Sequence, residues 1–391
     1  MKRSVLICLV PAVFILACME AAGSDEVGGG ETGETNETGE GAETGGDTGE
    51  SQTPIPVLGN GTHDIDEVVV EVLSTPQDGL NFPTDAEFKP DTRQLWVTNR
   101  ADFSIVIYDQ AGLVDQSVAK YQDPLGNGPH FLAKPAALAF GDNGNLATAQ
   151  QEGEVTQPGD PADGSFMGPT LWTSDLPTFK GGHESHLDML HNSPLSSGIA
   201  FDTGNAYWVY DGRHGSLTYY DFNADHGLGG TDHEDGEIYR YVDGQMGYVN
   251  SVPSHLVWDR DASRLYAADT QHNRIVVLEP ETAEMGGSIS PNYDGCTMRY
   301  MSGAQLTTLV DGETLEMPMS GPSGLEMFDD KLFVTDPFTG IIYAFDLDGK
   351  LLDWLDTGFP EGSLLGFTFD AEGSIYVTDA AANRLIKISA P

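Results

Sequence analysis

Short runs in which apolar and polar residues alternate recur along the chain from about residue 68 to its last residue. The clearest copy covers residues 252–278, where three such runs, rich in Val, Ile, Leu and aromatic residues, are separated by two polar turns. Alternation of this length is typical of β-strands, and the polar boundaries indicate tight turns. The segment therefore predicts three consecutive antiparallel strands.

Related copies of this three-strand module begin near residues 83, 135, 196, 253, 322 and 364. A four-stranded blade of a β-propeller needs about 40–50 residues, so the longer intervals indicate loop insertions. Radial repetition of such blades leaves few exposed strand edges. The copies predict an all-β fold, a six-bladed β-propeller with four-stranded blades, over residues 63–391.

The sixth copy ends after its third strand, so one strand of the last blade is missing from that copy. Residues 68–73, which precede the first copy, form an unassigned run with strand character. We expect this run to pair with the last strand of the chain. The N-terminal strand would then complete the sixth blade and close the ring.

Some modules also carry a motif in which an Asp ends the second strand and Asn-Arg-Ile or Asn-Arg-Leu lies at the start of the third. Two copies have it in full, at Asp269, Asn273, Arg274 and Ile275, and at Asp379, Asn383, Arg384 and Leu385. With these motifs, residues 68–391 resemble the NHL-repeat β-propellers. The resemblance implies the fold and little about activity, because propellers support many unrelated functions.

The first eighteen residues have the organisation of an export signal. Two basic residues precede an apolar segment, residues 4–16, that is too short to span a bilayer comfortably. The segment is followed by Ala-Cys18, which resembles the lipobox of bacterial lipoproteins. The resemblance implies a signal peptide, residues 1–17, and a lipid on Cys18. Because Met rather than Asp follows the cysteine, it also implies a cell-envelope protein of the outer membrane.

Residues 18–62 have the composition of a linker, rich in Gly, Glu and Thr and with three Thr-Gly-Glu repeats. Such a segment has little apolar surface to bury, so we expect it to be disordered. A flexible coil of roughly 50 residues has a root-mean-square reach of about 40 Å. The linker would therefore hold the propeller away from the membrane.

The formal net charge is −43, from 18 Lys and Arg against 61 Asp and Glu. This charge argues against a nucleic-acid partner, which requires clustered basic residues, and against electrostatic docking on anionic lipid. It favours a cationic ligand or a divalent metal. We expect a monomer that is attached to the membrane through the lipid on Cys18 and that binds an unidentified protein or small molecule.

The first strand of each blade is expected to line the central channel. At its third position four copies hold Gly or Ala, whereas copies one and four hold Asp85 and His255. Copies one and four lie opposite each other in a six-fold ring. The two side chains are therefore predicted to be ligands at a mouth of the channel; the alternative is that they hydrogen-bond to neighbouring loops.

Potential metal ligands are concentrated before the third copy, with three histidines and two acidic residues in residues 183–191. Imidazole and carboxylate groups are the ligands that transition metals prefer. The set predicted to bind a divalent transition metal, zinc, copper or iron, comprises His183, His186, His191, His255, His130 and Asp85. The alternative is a hydrogen-bonding loop that covers the channel mouth.

The loop after the third copy has a second pattern of ligands. Asp221, Asn223 and Asp225 alternate along it, and Asp232 is the twelfth residue counted from Asp221. Alternating oxygen ligands with an acid at position twelve are typical of loops that bind Ca²⁺. His226 occupies the sixth position, where an EF-hand has glycine, so the prediction is a calcium-type loop outside the EF-hand class, with a solvated acidic turn as the alternative.

Two classes of function remain open, since no serine-hydrolase elbow, phosphate-binding glycine loop or dinucleotide motif is visible. The first is a ligand- or protein-binding module. The second is a metal-dependent lyase or hydrolase in which a metal-bound water is activated. The chain is distantly similar to the peptidyl-α-hydroxyglycine α-amidating lyases, NHL-type propellers that hold zinc with histidines at the channel mouth; His255 lies one residue beyond the corresponding position.

Overall fold

Nearly all regular structure in the protein is β-strand. A computed structural model describes residues 53–122, 131–153, 167–179 and 185–391. These residues form 26 strands in six sheets, one helical turn, α1 (Leu176–Phe179), and several short 3-10 helices. Among them, no helix is long and apolar enough to cross a membrane. The predicted six-bladed β-propeller is confirmed.

Strand β1 (Val69–Ser74) precedes the first blade in the chain. The first three blades are formed by β2 (Pro83–Phe88), β3 (Leu95–Asn99), β4 (Ser104–Asp109) and β5 (Ser117–Gln122); by β6 (Pro135–Phe140), β7 (Asn145–Gln150), β8 (Thr170–Thr173) and β9 (His186–Met189); and by β10 (Ser196–Phe201), β11 (Ala206–Asp211), β12 (Ser216–Asp221) and β13 (Glu237–Tyr241). Consecutive strands within each of these blades pair antiparallel.

The fourth blade contains an insertion between its third and fourth strands. The fourth blade is formed by β14 (Leu256–Asp259), β15 (Arg264–Asp269), β16 (Arg274–Glu279) and β19 (Gln305–Asp311), and the insertion contains β17 (Glu284–Ser288) and β18 (Thr297–Ser302). The fifth blade is formed by β20 (Leu325–Phe328), β21 (Lys331–Asp336), β22 (Ile341–Phe345) and β23 (Leu351–Asp356). The sixth contains β24 (Leu364–Phe369), β25 (Ile375–Asp379) and β26 (Arg384–Ser389).

The first strand of each blade is the innermost, and these strands contact one another in order around the channel. Contacts run from β2 to β6, β10, β14, β20 and β24, and from β24 back to β2. Hydrogen bonds link neighbours in this ring: the Thr84 hydroxyl donates to the Pro135 carbonyl at 2.9 Å, and the His255 N–H donates to the Ser323 carbonyl at 3.0 Å. The leading residues of the six modules therefore surround one axis.

The ring is closed by a sheet that combines the N-terminal and C-terminal strands. Strand β1 pairs antiparallel with β26, with Val70 opposite Ile388 and Val72 opposite Ile386. The order of the sixth sheet is β1, β26, β25, β24. The predicted closure is thus confirmed, since β1 is the fourth strand that the last module lacks.

Apolar faces packed between neighbouring blades form the core. Leu171 of the second blade and Val209 and Tyr207 of the third are fully buried in one such cluster. Burial of a side chain of this size contributes about 1.5–3 kcal/mol. Cys296, the one cysteine among the described residues, is buried in the same cluster with a free thiol. Packing between blades therefore holds the ring together.

The insertion in the fourth blade is a β-hairpin that joins the third blade. Strand β18 pairs in parallel with β13, and β17 pairs antiparallel with β18, which extends the third sheet to six strands. The length of the interval predicted only a loop here. The hairpin forms because the outer edge of β13 offers free backbone groups, which another strand can satisfy.

Residues before position 63, the predicted start of the propeller, also pack on the domain. Val57 and Leu58 are buried in the cluster between the fifth and sixth blades, and the Ile55 N–H donates to Asp353 Oδ2 at 2.8 Å. The ring of His63 stacks on Trp354 with centroids 3.8 Å apart. Residues 53–62 therefore pack on the domain because they carry apolar side chains that the Gly-rich segment lacks.

The pairing of β1 with β26 predicts that an engineered disulfide forms only between residues that lie directly opposite each other. Glu71 and Lys387 are directly opposite in the β1–β26 pair, so the variant Glu71→Cys/Lys387→Cys should oxidise to an intrachain disulfide. Because this bond would close a loop of most of the chain, it should raise the free energy of unfolding by roughly 4 kcal/mol or more. Thiol counting and thermal unfolding, with and without reductant, measure both effects.

The out-of-register pair Glu71→Cys/Ser389→Cys is the matched control and should keep both new thiols reduced. Equal oxidation of the two variants would contradict the register between β1 and β26.

Candidate functional site

Asp85 and His255 meet in the central channel. Asp85 lies on the innermost strand β2, and His255 directly precedes the innermost strand β14. The distance from His255 Nε2 to Asp85 Oδ1 is 3.7 Å, and both side chains are buried. The N–H groups of Ala86 and Leu138 each donate to the Asp85 carboxylate at 2.8 Å. The two side chains that depart from Gly or Ala in the repeat alignment therefore contact each other.

Gly366, at the same aligned position of the sixth blade, leaves the space that this pair occupies. A Cβ atom on Gly366 would lie 2.3 Å from His255 Cε1 and 2.4 Å from Asp85 Oδ1. The His255 Nε2 atom is buried and has no hydrogen-bond partner among the described residues. The Asp85–His255 pair is therefore packed closely against the sixth blade.

Two further carboxyl groups, which the sequence analysis did not select, belong to the same channel. Glu87 is two residues after Asp85 on β2, and Glu326 is at the aligned position on β20. Burial raises the pKa of Glu87 well above its usual range, and the charges of Glu326 and Asp85 raise it further. Burial and the charge of Asp85 likewise raise the pKa of Glu326. Period-two alternation along the innermost strands is the signal that would have found both.

The raised pKa of Glu326 predicts that Glu326→Gln stabilises the fold in a pH-dependent way. Between the pKa of the unfolded chain and the higher pKa of the folded protein, the folded state binds more protons, so stability falls as pH rises through that window. The variant should raise the free energy of unfolding at pH 8, by about 1.4 kcal/mol for each unit of pKa difference. Chemical denaturation at pH 4 and pH 8 measures the effect, which should be absent at pH 4.

Glu361→Gln, at an exposed site, is the control and should leave the pH profile unchanged. If Glu326→Gln raised the free energy of unfolding equally at both pH values, ionisation of Glu326 would not be what destabilises the wild-type fold.

A second group of polar side chains lies at the outer edge of the second blade. His186 and Asp188 alternate on β9, so they share one face of the outermost strand. The loop between β12 and β13 crosses this strand, and the His226 N–H donates to the Leu187 carbonyl at 3.1 Å. This contact brings the two histidines of the loop, His226 and His233, to the face that carries Asp188.

Asp188, His226 and His233 form a set of three potential metal ligands. One ligand atom from each lies within 4.8 Å of the other two, and no other set of three His, Cys or acidic side chains meets this condition in the part of the chain that the structure describes. Asp188 Oδ2 and His226 Nε2 are both buried without a hydrogen-bond partner among the described residues. We call this set the outer histidine cluster.

The remaining polar atoms of the outer histidine cluster are oriented by hydrogen bonds. His226 Nδ1 is 2.6 Å from the Gly227 carbonyl oxygen, and His233 Nδ1 is 2.7 Å from Asp188 Oδ1. Both acceptors require that Nδ1 carries the proton, which leaves Nε2 of each ring as the electron-pair donor. Ring nitrogens fixed in this way by a carbonyl or a carboxylate are typical of metal-binding histidines.

A neighbouring His–Asp pair adjoins the outer histidine cluster. His191 Nδ1 is 2.7 Å from Asp294 Oδ1, and the ring centroids of His191 and His233 are 5.7 Å apart. Burial lowers the pKa of His191, and the hydrogen bond to Asp294 opposes that effect. For His233 burial also acts to lower the pKa, but the hydrogen bond to Asp188 and the surrounding carboxylate charges raise it overall. Because its pKa is lowered, His191 stays neutral down to a lower pH than an exposed histidine.

The structure divides the predicted metal set into separate groups. His186 and His191 flank the outer histidine cluster, with the His186 ring centroid 5.1 Å from that of His226. Asp85 lies on an innermost strand and His255 directly precedes one, about 14 Å from an outermost strand at three strand spacings, so His255 does not complete the site beside His186. His183 and His130 lie outside the described residues. Metal binding by the predicted residues stays a prediction.

The predicted calcium-type loop is the same β12–β13 loop that carries His226 and His233. Its acidic side chains accept hydrogen bonds from nearby backbone N–H groups: Asp221 from Asn223 at 2.8 Å, Asp225 from Gly227 at 3.0 Å, and Asp232 from Glu234 at 3.2 Å. The Asn223 side-chain amide donates to the Asp235 carbonyl at 2.7 Å. These bonds shape the loop, and calcium binding by it stays a prediction.

From the sequence, Asp188 counted among the potential ligands of residues 183–191 but was not in the predicted metal set, His226 entered only as a departure from the EF-hand pattern, and His233 had no predicted role. The missed signal was the density of histidine on both sides of the third module, because residues 183–191 and 226–233 together hold five of the ten histidines of the chain. Chemically, an outer histidine cluster of one carboxylate and two imidazoles suits zinc and other divalent transition metals. Three protein ligands would leave at least one coordination position open.

Comparison with known proteins shows the fold alone. No protein-family model matches the chain, and no curated protein does. Among solved structures, a Bacteroides thetaiotaomicron protein of unknown function is 14% identical over 82% of this chain and 75% of that chain, with a TM-score of 0.52. An auxiliary nutrient binding protein from Bacteroides ovatus is 14% identical, with coverage of 82% and 76% and a TM-score of 0.51.

A luciferin-regenerating enzyme is also similar, at 11% identity, with 82% of this chain and 95% of that chain covered and a TM-score of 0.51. The structural neighbours are six-bladed propeller proteins, and they include both binding proteins and enzymes. Similarity to the NHL-repeat family itself stays a resemblance in the sequence motifs.

Proposed function

We propose that this protein is a ligand-binding β-propeller of the bacterial cell envelope that holds a divalent transition metal in the outer histidine cluster. The observation that carries the proposal is the convergence of Asp188, His226 and His233, whose ligand atoms lie within 4.8 Å of one another. Two of these side chains have buried polar atoms without a partner among the described residues. Such atoms cost free energy unless a ligand or an ion satisfies them.

The proposed location rests on the N-terminal sequence. A basic start, a short apolar segment and Cys18 resemble a lipoprotein signal, and the acidic Gly-rich segment that follows has the composition of a flexible tether. A lipid on Cys18 would attach the protein to a membrane, with the outer membrane as the proposed site. The net charge of −43 also favours cationic ligands.

A second candidate function is a metal-dependent hydrolase or lyase. It is favoured by the buried His191–Asp294 pair, because a histidine oriented by a carboxylate beside a metal is the arrangement of a general base. An open coordination position would hold a water, and the metal would lower the pKa of that water. The site residues would then orient this water and accept its proton.

Elemental analysis of the purified chain tests the metal site. After exposure to Zn²⁺ and gel filtration, the wild-type chain should retain about one Zn²⁺ in the outer histidine cluster. His226→Ala and His233→Ala should each weaken Zn²⁺ binding by at least about a hundredfold, since loss of even a supporting residue costs up to that factor. Competition with a chromogenic chelator measures the affinities.

His272→Ala is the matched control, because His272 also contacts an aspartate, at 2.9 Å, but lies in a turn of the fourth blade. It should leave the affinity unchanged. His255→Ala tests the channel pair separately: if it abolishes binding while His226→Ala and His233→Ala do not, the metal belongs in the channel and the proposed site is wrong.

Turnover of an activated ester separates the two functions. If the metal activates a water, the Zn²⁺-loaded chain should hydrolyse p-nitrophenyl acetate with a rate that rises with an apparent pKa near 7, as for a zinc-bound water, and His191→Gln should lower that rate while leaving Zn²⁺ bound. If the wild-type chain binds Zn²⁺ at full occupancy but hydrolyses the ester no faster than His226→Ala does, the binding function is favoured.

A further inference from the structure

The β12–β13 loop, which carries His226 and His233, holds a concentrated negative charge. Residues 214–239 contain no Lys or Arg, and the acidic residues among them are Asp221, Asp225, Asp232, Glu234, Asp235 and Glu237. None of these six carboxylates forms an ion pair with a basic side chain among the described residues. The loop that supplies two of the three proposed metal ligands is therefore uncompensated in charge.

Hydrogen bonds and strand pairing bring the two acidic ends of this loop together. The Asn223 side-chain amide donates to the Asp235 carbonyl at 2.7 Å, and the Ala224 N–H donates to Asp235 Oδ2 at 3.1 Å. Asp221 and Glu237 are directly opposite in the β12–β13 pair. Burial raises the pKa of Asp221, and the charges of Glu237 and Asp235 raise it further. A bound cation would relieve this repulsion between like charges.

Three exposed carboxylates of the loop flank the histidines of the outer histidine cluster. Asp225 directly precedes His226, and Asp232 and Glu234 lie on either side of His233. All three acidic side chains are exposed. We call Asp225, Asp232 and Glu234 the acidic rim.

The buried side of the cluster is the independent sign that a ligand binds here. Asp188 is fully buried, and its Oδ2 atom has no hydrogen-bond partner among the described residues. His226 Nε2 is likewise buried without such a partner. Solvent satisfies an exposed carboxylate, whereas these buried atoms need a bound group. A ligand that takes the open coordination position of a metal held there meets the negative potential of the acidic rim.

We propose, resting on the proposed metal site, that its ligand is a small organic cation with two functional groups. A neutral nitrogen donor takes the open coordination position of the metal, as divalent transition metals accept such donors. An ammonium group on the same molecule is attracted by the carboxylates of Asp232 and Glu234. An anionic ligand of the same shape is repelled by these carboxylates.

Three 4-substituted pyridines of similar size test this preference on the full chain loaded with Co²⁺, whose visible absorption reports ligand exchange. The ring nitrogen binds the metal, and a substituent at the 4-position cannot chelate it. At low salt the cation 4-(aminomethyl)pyridine should bind at least about tenfold tighter than the anion 4-pyridylacetate, with neutral 4-methylpyridine between them. In about 0.5 M NaCl the difference should shrink severalfold, because salt screens exposed charges.

The variant Asp232→Asn/Glu234→Gln removes two charges of the acidic rim and should lower the preference for the cationic probe by about threefold or more. Asn at position 232 can still accept the hydrogen bond from the Glu234 N–H, so the loop keeps its shape. Glu313→Gln/Glu316→Gln, at exposed positions between the fourth and fifth blades, removes the same number of charges as the matched control. It should leave the preference unchanged, and equal losses in the two double variants would show that net charge, and not the acidic rim, selects the ligand.

Elemental analysis separates failure of the ligand class from failure of the metal site. If the chain binds no Co²⁺, or if His226→Ala and His233→Ala leave Co²⁺ binding unchanged, the proposed metal site is wrong and the ligand class is wrong with it. If Co²⁺ is bound in the outer histidine cluster but the three probes bind equally at low salt, the metal site stands and the cationic ligand is wrong. The salt dependence of the wild-type chain decides the matter if Asp232→Asn/Glu234→Gln fails to fold.

Discussion

The pairing of β1 with β26 is the interaction on which the rest of the structure depends. Each blade buries both faces against its neighbours, so the ring is stable only if the sixth blade is complete and contacts the first. The shared sheet provides this without a covalent link, as Cys296 is the one described cysteine and its thiol is free. Once closed, the ring brings together innermost strands that are far apart in the chain, and Asp85 meets His255 only for that reason.

The chemistry of the protein is divided between the axis and the outer edge of the propeller. At the axis, the innermost strands place Asp85, Glu87 and Glu326 in surroundings that raise the pKa of each carboxyl group through burial. At the outer edge, a segment that is not part of the repeat supplies polar groups, since the β12–β13 loop provides His226 and His233. A propeller can vary such segments without disturbing its core, which is why function is expected there.

The fold could be predicted because its signal is repeated. Six copies of a period-two pattern reinforce one another, and the missing fourth strand of the last copy indicated how the ring closes. The sites were harder to predict. Residues 183–191 are rich in potential ligands, but His186 and His191 flank the set in which Asp188 converges with His226 and His233. The β17–β18 hairpin and the packing of Val57 and Leu58 were also missed, because edge pairing and docking of short apolar segments leave no periodic pattern.

The sequence by itself determined the strands, the number of blades, the closure and the alignment that singles out Asp85 and His255, since each depends on local alternation or on comparison between copies. Only the tertiary structure decided which distant side chains meet. His226 reaches Asp188 because one backbone hydrogen bond, to Leu187, holds the loop across β9. Arg240 lies 3.7 Å from Asp211 and 3.8 Å from Asp243, so both contacts are ion pairs and neither is a hydrogen bond. Such differences of about one ångström arise from packing in three dimensions, and no spacing along the chain encodes them.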